Sequence, residues 1–124
     1  MRGARAEKDE ERERRIEDEV VVDAYGEEER ALGWYYYLES RVKFPFQARC
    51  IAEERTSPLQ RGEKVQVIGM AGEENCRSDM FVQVRWNRRT TAARLSQLDG
   101  ISIDGQTKEA LGDWRYWVAK GYQF

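Results

Sequence analysis

The stretch GWYYYLESRVKFPF, residues Gly33–Phe46, decides the fold because a helical pattern gives way to a strand pattern within it. Three glutamates precede it, where they favour the positive end of a helix dipole. Pro45 cannot continue a helix, since it lacks a backbone N–H. The apolar side chains that share one helix face are Ala31, Trp34, Tyr35, Leu38 and Val42. The pattern predicts a helix over Glu27–Arg41, with Tyr36 and Tyr37 pointing away from the apolar face.

Period-two alternation follows this helix and predicts strands. The segments FPFQARC, EKVQVIGMA and MFVQVRW each place their apolar side chains on one face, and TTAARLSQLDGI predicts a further short strand leading into a turn. Polar connections at residues 57–64, 71–79 and 87–89 separate them. Four or five short strands with brief connections favour a small bent antiparallel sheet or an SH3-like barrel.

Helical patterns also stand at both ends of the chain. Gly26 is expected to end a first helix that starts near Glu10, and its apolar positions are Ile16, Val20 and Ala24. Thr107 is a good N-cap for a last helix, and Gly121 stands just past its end. We therefore expect an α+β fold in which two N-terminal helices and one C-terminal helix flank the sheet. Residues 10–124 are expected to form one domain after a flexible charged N-terminus at residues 1–9.

Composition argues against several functional classes. The 124 residues include 21 basic and 23 acidic side chains, and this near-balance gives no strong reason to expect nucleic acid or an anionic membrane as a partner. The chain has no histidine and only two cysteines, which disfavours zinc sites and general base catalysis. We expect a protein that is not an enzyme. With no apolar run of about 20 residues and no signal peptide, we expect a cytoplasmic location and reduced cysteines.

Three blocks of the sequence resemble a known family. They are VVVDAYGEEERALGWYYYLESRVKFPFQARC, then MFVQVRW followed by LSQL, and TKEALGDWRYW followed by GY. In this order they resemble the cyanobacterial-type calcium-binding proteins, the CcbP-like family, over residues 15–122. The resemblance implies reversible calcium binding by acidic side chains, in a cytosolic buffering or signalling role. It also implies a site without EF-hands, and the sequence indeed lacks the D-x-D-x-D-G loop.

Two departures from the family pattern imply weaker calcium binding. The resemblance leads us to expect two acidic residues after the tyrosines, and this chain has Glu39 followed by Ser40. The chain also carries almost as many basic as acidic residues. Because calcium affinity depends on the number of charged ligands, both changes should lower it.

The acidic residues offer three candidate places for a metal ligand. Glu39 follows the aromatic run at the junction of helix and sheet, although a glutamate there is also often only solvated. The polar loop after the second strand carries several oxygens, from Glu73, Glu74, Asn75 and Asp79. Arg77 lies within this loop and could neutralise it. Asp23 stands near the end of the first helix. A lone carboxylate in such places is more commonly structural.

The alternative function is an interaction module that binds a protein or nucleic acid partner. A basic cluster surrounds the predicted turn before the last strand, at Arg85, Arg88, Arg89 and Arg94. Loops of SH3-like barrels bind such partners, although acidic residues elsewhere oppose nucleic acid. The tryptophans Trp34, Trp86, Trp114 and Trp117 could stack on bases, but each lies in an apolar-periodic element. Core packing is the favoured interpretation for all four, with one at an edge.

Overall fold

The computed structural model describes residues 9–122 and Phe124. The helices are α1 (Glu10–Arg15), α2 (Glu27–Arg41) and α3 (Gly105–Ala119). The strands are β1 (Phe46–Cys50), β2 (Lys64–Met70), β3 (Phe81–Trp86), β4 (Arg89–Arg94) and β5 (Leu98–Ile101). Short 3-10 turns cover Glu73–Asn75 and Leu95–Gln97. No helix within the described residues is long and apolar enough to cross a membrane.

The five strands form one antiparallel sheet in the order β4-β3-β2-β1-β5. Its inner side chains are buried against the helices, as in β1, where Phe46, Ala48 and Cys50 are buried and the residues between them are exposed. The α+β architecture expected from the sequence is therefore confirmed. Residues 1–8 of the expected flexible terminus lie outside the described residues. Asp9 caps α1, because its carboxylate accepts a hydrogen bond from the Arg12 amide at 3.0 Å.

Helix α2 has the bounds that the sequence predicts, and its apolar face is buried. Tyr36 lies outside the core, 49% exposed. The prediction that Tyr37 also points away from the buried face is wrong, because this side chain is only 5% exposed. Its hydroxyl donates a 2.6 Å hydrogen bond to Asp113 on α3, so a third helix covers the part of α2 that periodicity assigns to the outside.

The first helix ends earlier than expected. It continues from α1 as a π-helical segment, Ile16–Val20, and then turns, so Ala24 is not helical. The segment ends beside a close crossing with α2, where a Cβ on Gly33 would stand 2.2 Å from the Val20 carbonyl oxygen. Asp23 lies in the exposed turn that follows, with a positive φ of 59°.

Helix α3 begins two residues before the predicted cap. Asp104 is the N-cap, since its carboxylate accepts a 2.7 Å hydrogen bond from the Thr107 amide. Thr107 is buried instead, and its hydroxyl accepts from the Lys43 amide at 2.9 Å. Gly121 follows the helix with a φ of +77°, as the sequence predicts.

Asp113 joins three helices from a fully buried position on α3. Its Oδ1 accepts from Arg12 at 2.7 Å and from Arg15 at 2.8 Å. Its Oδ2 accepts from Arg15 Nε at 3.0 Å and from the Tyr37 hydroxyl. The carboxylate thus compensates two guanidinium groups of the N-terminal helical segment and fastens it to the rest of the core.

The tryptophans belong to the core, as expected. Trp34, Trp114 and Trp117 are buried, and Trp34 makes ring contacts with the other two at 5.0 and 5.5 Å. Trp86 is half-buried at the end of β3. Both cysteines are buried free thiols.

The β3–β4 hairpin turns through two residues, Asn87 and Arg88, with φ of 52° and 66°. Positive φ at both positions is the pattern of a type I′ turn, which favours Asn-Gly. Asparagine tolerates this conformation, whereas a residue such as Arg88 pays about 1–2 kcal/mol for it.

Candidate functional site

The five predicted metal ligands lie in three separate places. Glu39 follows two tyrosines on α2, and Glu73 and Glu74 lie in the 3-10 turn that is bonded to Tyr36, while Asp79 precedes β3 and Asp23 lies in the turn before α2. Asp23 is exposed and is not joined to the other four by any recorded contact within the described residues. The elements that carry Glu39, Glu73 and Glu74 are therefore in contact through the Tyr36–Glu73 hydrogen bond.

We define the Tyr35 cluster as Tyr35, Tyr36, Glu39, Glu73 and Glu74. Tyr35 and Tyr36 lie one helical turn before Glu39, and the Tyr36 hydroxyl donates a hydrogen bond to Glu73 Oε2. This bond joins α2 to the 3-10 turn Glu73–Asn75, across 37 positions of sequence. The turn that the sequence assigns to a polar loop therefore lies against the exposed edge of the aromatic run.

Two tyrosine pKa values record the negative charge of the cluster. Burial raises the pKa of the Tyr35 phenol. Nearby charges raise it further, and they include the carboxylates of Glu39, Glu73 and Glu74. The hydrogen bond to Glu73 raises the pKa of Tyr36. Both shifts have the same direction, and carboxylates of the cluster contribute to each of them.

A shallow depression of about 180 Å³ adjoins the cluster. Glu28, Glu73, Glu74 and Arg77 all line it. The sequence assigns Glu28 only to the helix dipole. Glu28 stands seven residues before Tyr35, which is two helical turns along the same face of α2. This spacing could have identified Glu28 from the sequence as a neighbour of the cluster. About 16 Å of helix separates it from Glu39, so the two cannot hold the same ion.

Asp79 is partly buried and already has partners. Its Oδ1 accepts a 2.7 Å hydrogen bond from the Met80 amide, and its Oδ2 lies 3.5 Å from Arg94 Nε. Burial raises the pKa of this carboxyl group, although the amide and the guanidinium oppose the rise. Asp79 lines a larger depression of about 440 Å³, which Arg77 also lines. Arg77 therefore lies between Asp79 and the Tyr35 cluster.

The oxygens of the cluster are not preassembled around an ion. Within residues 9–122 and 124, no three acidic or thiol side chains stand close enough to hold a metal. Calcium takes six to eight oxygen ligands at about 2.3–2.6 Å. Glu39, Glu73 and Glu74 are all exposed, so their side chains are free of the packing that would prevent them from turning toward a shared ion.

Comparison with known proteins identifies the family. The model of the CcbP family, described as calcium binding, matches residues 14–118. The chain belongs to this family. The crystal structure of Anabaena CcbP is 43% identical, with a TM-score of 0.87 over 96% of this chain and 98% of that one. A calcium binding protein in its calcium-binding form is 42% identical, with a TM-score of 0.84 over 94% of this chain and 96% of that one.

Family membership confirms the resemblance found in the sequence and supports a calcium-binding role. The CcbP family is a calcium-binding family and not a known class of enzyme. No curated protein shows significant similarity to the chain.

Proposed function

We propose that this protein binds calcium at the Tyr35 cluster, through Glu39, Glu73 and Glu74. One observation carries the assignment: in a member of a calcium-binding family, the hydrogen bond from Tyr36 to Glu73 holds the turn that carries Glu73 and Glu74 against α2, one helical turn from Glu39. Carboxylates supply both the charge and the hard oxygen ligands that calcium requires. Backbone carbonyls and water would complete the coordination.

Asp79 and Asp23 are weaker candidates. The charge of Asp79 is already compensated by Arg94, so a calcium ion there would have to replace an existing ion pair. Asp23 stands alone on an exposed turn and supplies a single carboxylate. Neither offers the several charges that a calcium site needs.

The proposed site assembles as calcium binds, and we expect its affinity to be modest. Ordering three exposed glutamates costs side-chain entropy that a preformed loop has already lost. Ser40 does not replace a fourth carboxylate, because its hydroxyl donates a 3.1 Å hydrogen bond to the Tyr37 carbonyl. A protein with these properties suits calcium buffering or signalling. We propose a cytoplasmic location, in keeping with its two free thiols.

Calorimetric titration with calcium, with magnesium as the control ion, tests the site. Glu39→Gln keeps the side-chain shape and removes one charge, and should weaken calcium binding by roughly tenfold. Asp23→Asn is the matched control, since it removes one exposed carboxylate outside the cluster, and should bind as the wild type does. Ser40→Asp should strengthen binding.

Glu73→Gln/Glu74→Gln tests the other side of the cluster and should abolish calcium binding without lowering the melting temperature. Wild-type affinity in Glu39→Gln together with binding that survives in this double variant would place the site elsewhere. Absence of any heat at millimolar calcium in the wild type would contradict the proposed function itself.

A further inference from the structure

The outer face of the sheet carries a row of basic side chains. Strand register places Arg49 of β1 directly opposite Lys64 of β2, and Arg85 of β3 opposite Gln66 of β2. All three basic residues are exposed. Together with Arg88 at the tip of the neighbouring hairpin they form what we call the basic face: Arg49, Lys64, Arg85 and Arg88.

No ion pair within the described residues includes any of these four side chains. Directly opposed like charges destabilise a sheet, and Arg49 and Lys64 are such a pair. Asp99 stands opposite Arg49 on β5, but it forms an ion pair with Arg115 at 3.3 Å. Arg49 donates to the Gly62 carbonyl instead. Among pairs formed by the described residues, none joins a carboxylate to a member of the basic face.

The hairpin tip points to the same need for positive charge. Arg88 occupies the second position of a type I′ turn, where glycine is the favoured residue because φ is positive. An arginine there makes the hairpin less favourable than Asn-Gly would. Backbone strain of this kind is found mostly at functional sites, which suggests that the Arg88 side chain has a function. The group that this side chain offers is its positively charged guanidinium.

Two arginines that the sequence groups with this hairpin lie outside the basic face. Arg94 contacts Asp79 at 3.5 Å and Glu54 at 4.0 Å, so its charge is compensated within the chain. Arg89 stands opposite Trp86, on the side of the sheet that faces the core. Strand register thus places Arg85 on the outer face of the sheet, beside β2, whereas Arg89 lies on the opposite face. Arg88 lies in the turn next to Arg85.

We propose that the basic face binds the phosphate backbone of a nucleic acid. Guanidinium groups pair with phosphate oxygens in a fixed two-point geometry, and the exposed Gln47 and Gln83 add neutral donors beside them. A protein partner fits less well. Protein interfaces have an apolar centre, and within the described strands no large apolar side chain is exposed.

The test is fluorescence anisotropy of labelled 20-nucleotide oligonucleotides, single-stranded and duplex, titrated with the full chain at several salt concentrations. Four phosphate contacts on a single strand give a slope of about −3 in log affinity against log salt, so affinity should fall about fiftyfold between about 50 and 200 mM salt. Arg49→Gln/Arg85→Gln should weaken binding and roughly halve this slope.

Arg14→Gln/Lys108→Gln is the matched control, because both residues are exposed on helices and the double variant removes the same charge. It should bind oligonucleotide within about twofold of the wild type, since only contacted charges release counterions. Arg88→Gly should weaken binding while leaving the melting temperature unchanged or raised, which separates recognition from folding.

Three results would overturn the proposal. One is no anisotropy change at about 50 mM salt, where phosphate contacts are strongest. Another is an equal loss of affinity in the control double variant, which would indicate only a net-charge effect. The third is tighter binding to a labelled polyglutamate peptide than to either oligonucleotide, which would assign the face to an acidic protein.

Discussion

Replacing Asp113 with asparagine removes the charge that fastens the N-terminal helix to α3. The carboxylate is fully buried and accepts four hydrogen bonds, two from Arg15, one from Arg12 and one from Tyr37. Asparagine has the same shape but turns one acceptor into a donor. That donor would face a guanidinium or hydroxyl group, so at least one of the four bonds is lost. Arg12 and Arg15 would keep only their more exposed partners, Asp9 at 3.5 Å and Glu109 at 3.3 Å.

The expected cost follows from the burial of the two arginines. Breaking a buried ion pair by removing one partner costs about 3–5 kcal/mol. Arg12 and Arg15 retain side-chain exposures of 27% and 19%, so water screens part of their charge. We therefore expect a loss of about 2–4 kcal/mol. For a chain of 124 residues this corresponds to a fall of roughly 8–16 °C in the melting temperature.

Urea unfolding followed by circular dichroism measures the free energy. Asp99→Asn is the matched control: it breaks a 3.3 Å ion pair with Arg115, but the Asp99 side chain is 57% exposed, so we expect a loss below about 1 kcal/mol. Tyr37→Phe combined with Asp113→Asn should be less destabilising than the sum of the two, because the residues share a bond. Equal losses for Asp113→Asn and Asp99→Asn would refute the reasoning.

Three further predictions concern packing, pH and charge. Gly33→Ala should destabilise the fold by about 1–3 kcal/mol, despite the better helix propensity of alanine, because the new Cβ would meet the Val20 carbonyl oxygen. Gly105→Ala places its Cβ in open space and should not destabilise the fold. Thermal melts distinguish the two variants. Because the folded pKa of Asp79 is raised, its protonation stabilises the fold at low pH, and this contribution is lost as pH rises above about 3.8 through the folded pKa. Asp79→Asn should therefore gain stability relative to the wild type as the pH rises above about 3.8, measured by urea unfolding, and a difference independent of pH would exclude Asp79. Arg77→Gln should strengthen calcium binding by calorimetry, because the guanidinium lines the depression beside the proposed site, and unchanged affinity would place it outside the ion's field.

Helix α2 and the first three strands could be predicted because their signals are local. The apolar face of the helix recurs over about three turns, and Pro45 limits where it can end. The ends of the other helices depend on contacts that the sequence does not reveal. The segment before Val20 stops where it crosses Gly33, and α3 uses Asp104 as its cap because Thr107 is engaged by the Lys43 amide.

The candidate site could be predicted only in part, for the same reason. Glu39 was recognisable from its place after the aromatic run, and Glu73 from a loop rich in oxygens. Their proximity depends on a contact between Tyr36 and Glu73, which are 37 residues apart. The pairing of Asp79 with Arg94 was equally hidden, since it requires the register that sets Phe81 opposite Arg94. The sequence thus does not distinguish the proposed ligands Glu73 and Glu74 from Asp79, although Asp79 forms an ion pair with Arg94.

The near-zero net charge conceals an uneven distribution of charge over the molecule. The acidic side chains of the Tyr35 cluster belong to α2 and the turn before β3, whereas Arg49, Lys64 and Arg85 stand on the outer face of the sheet. Surface charges separated by more than about 8–10 Å are largely screened at physiological salt, so charge on one face acts mainly on what lies near that face. A balanced composition therefore does not exclude an anionic partner. Whether an anionic partner can bind depends instead on the strand register, which places Arg49, Lys64 and Arg85 on one face of the sheet.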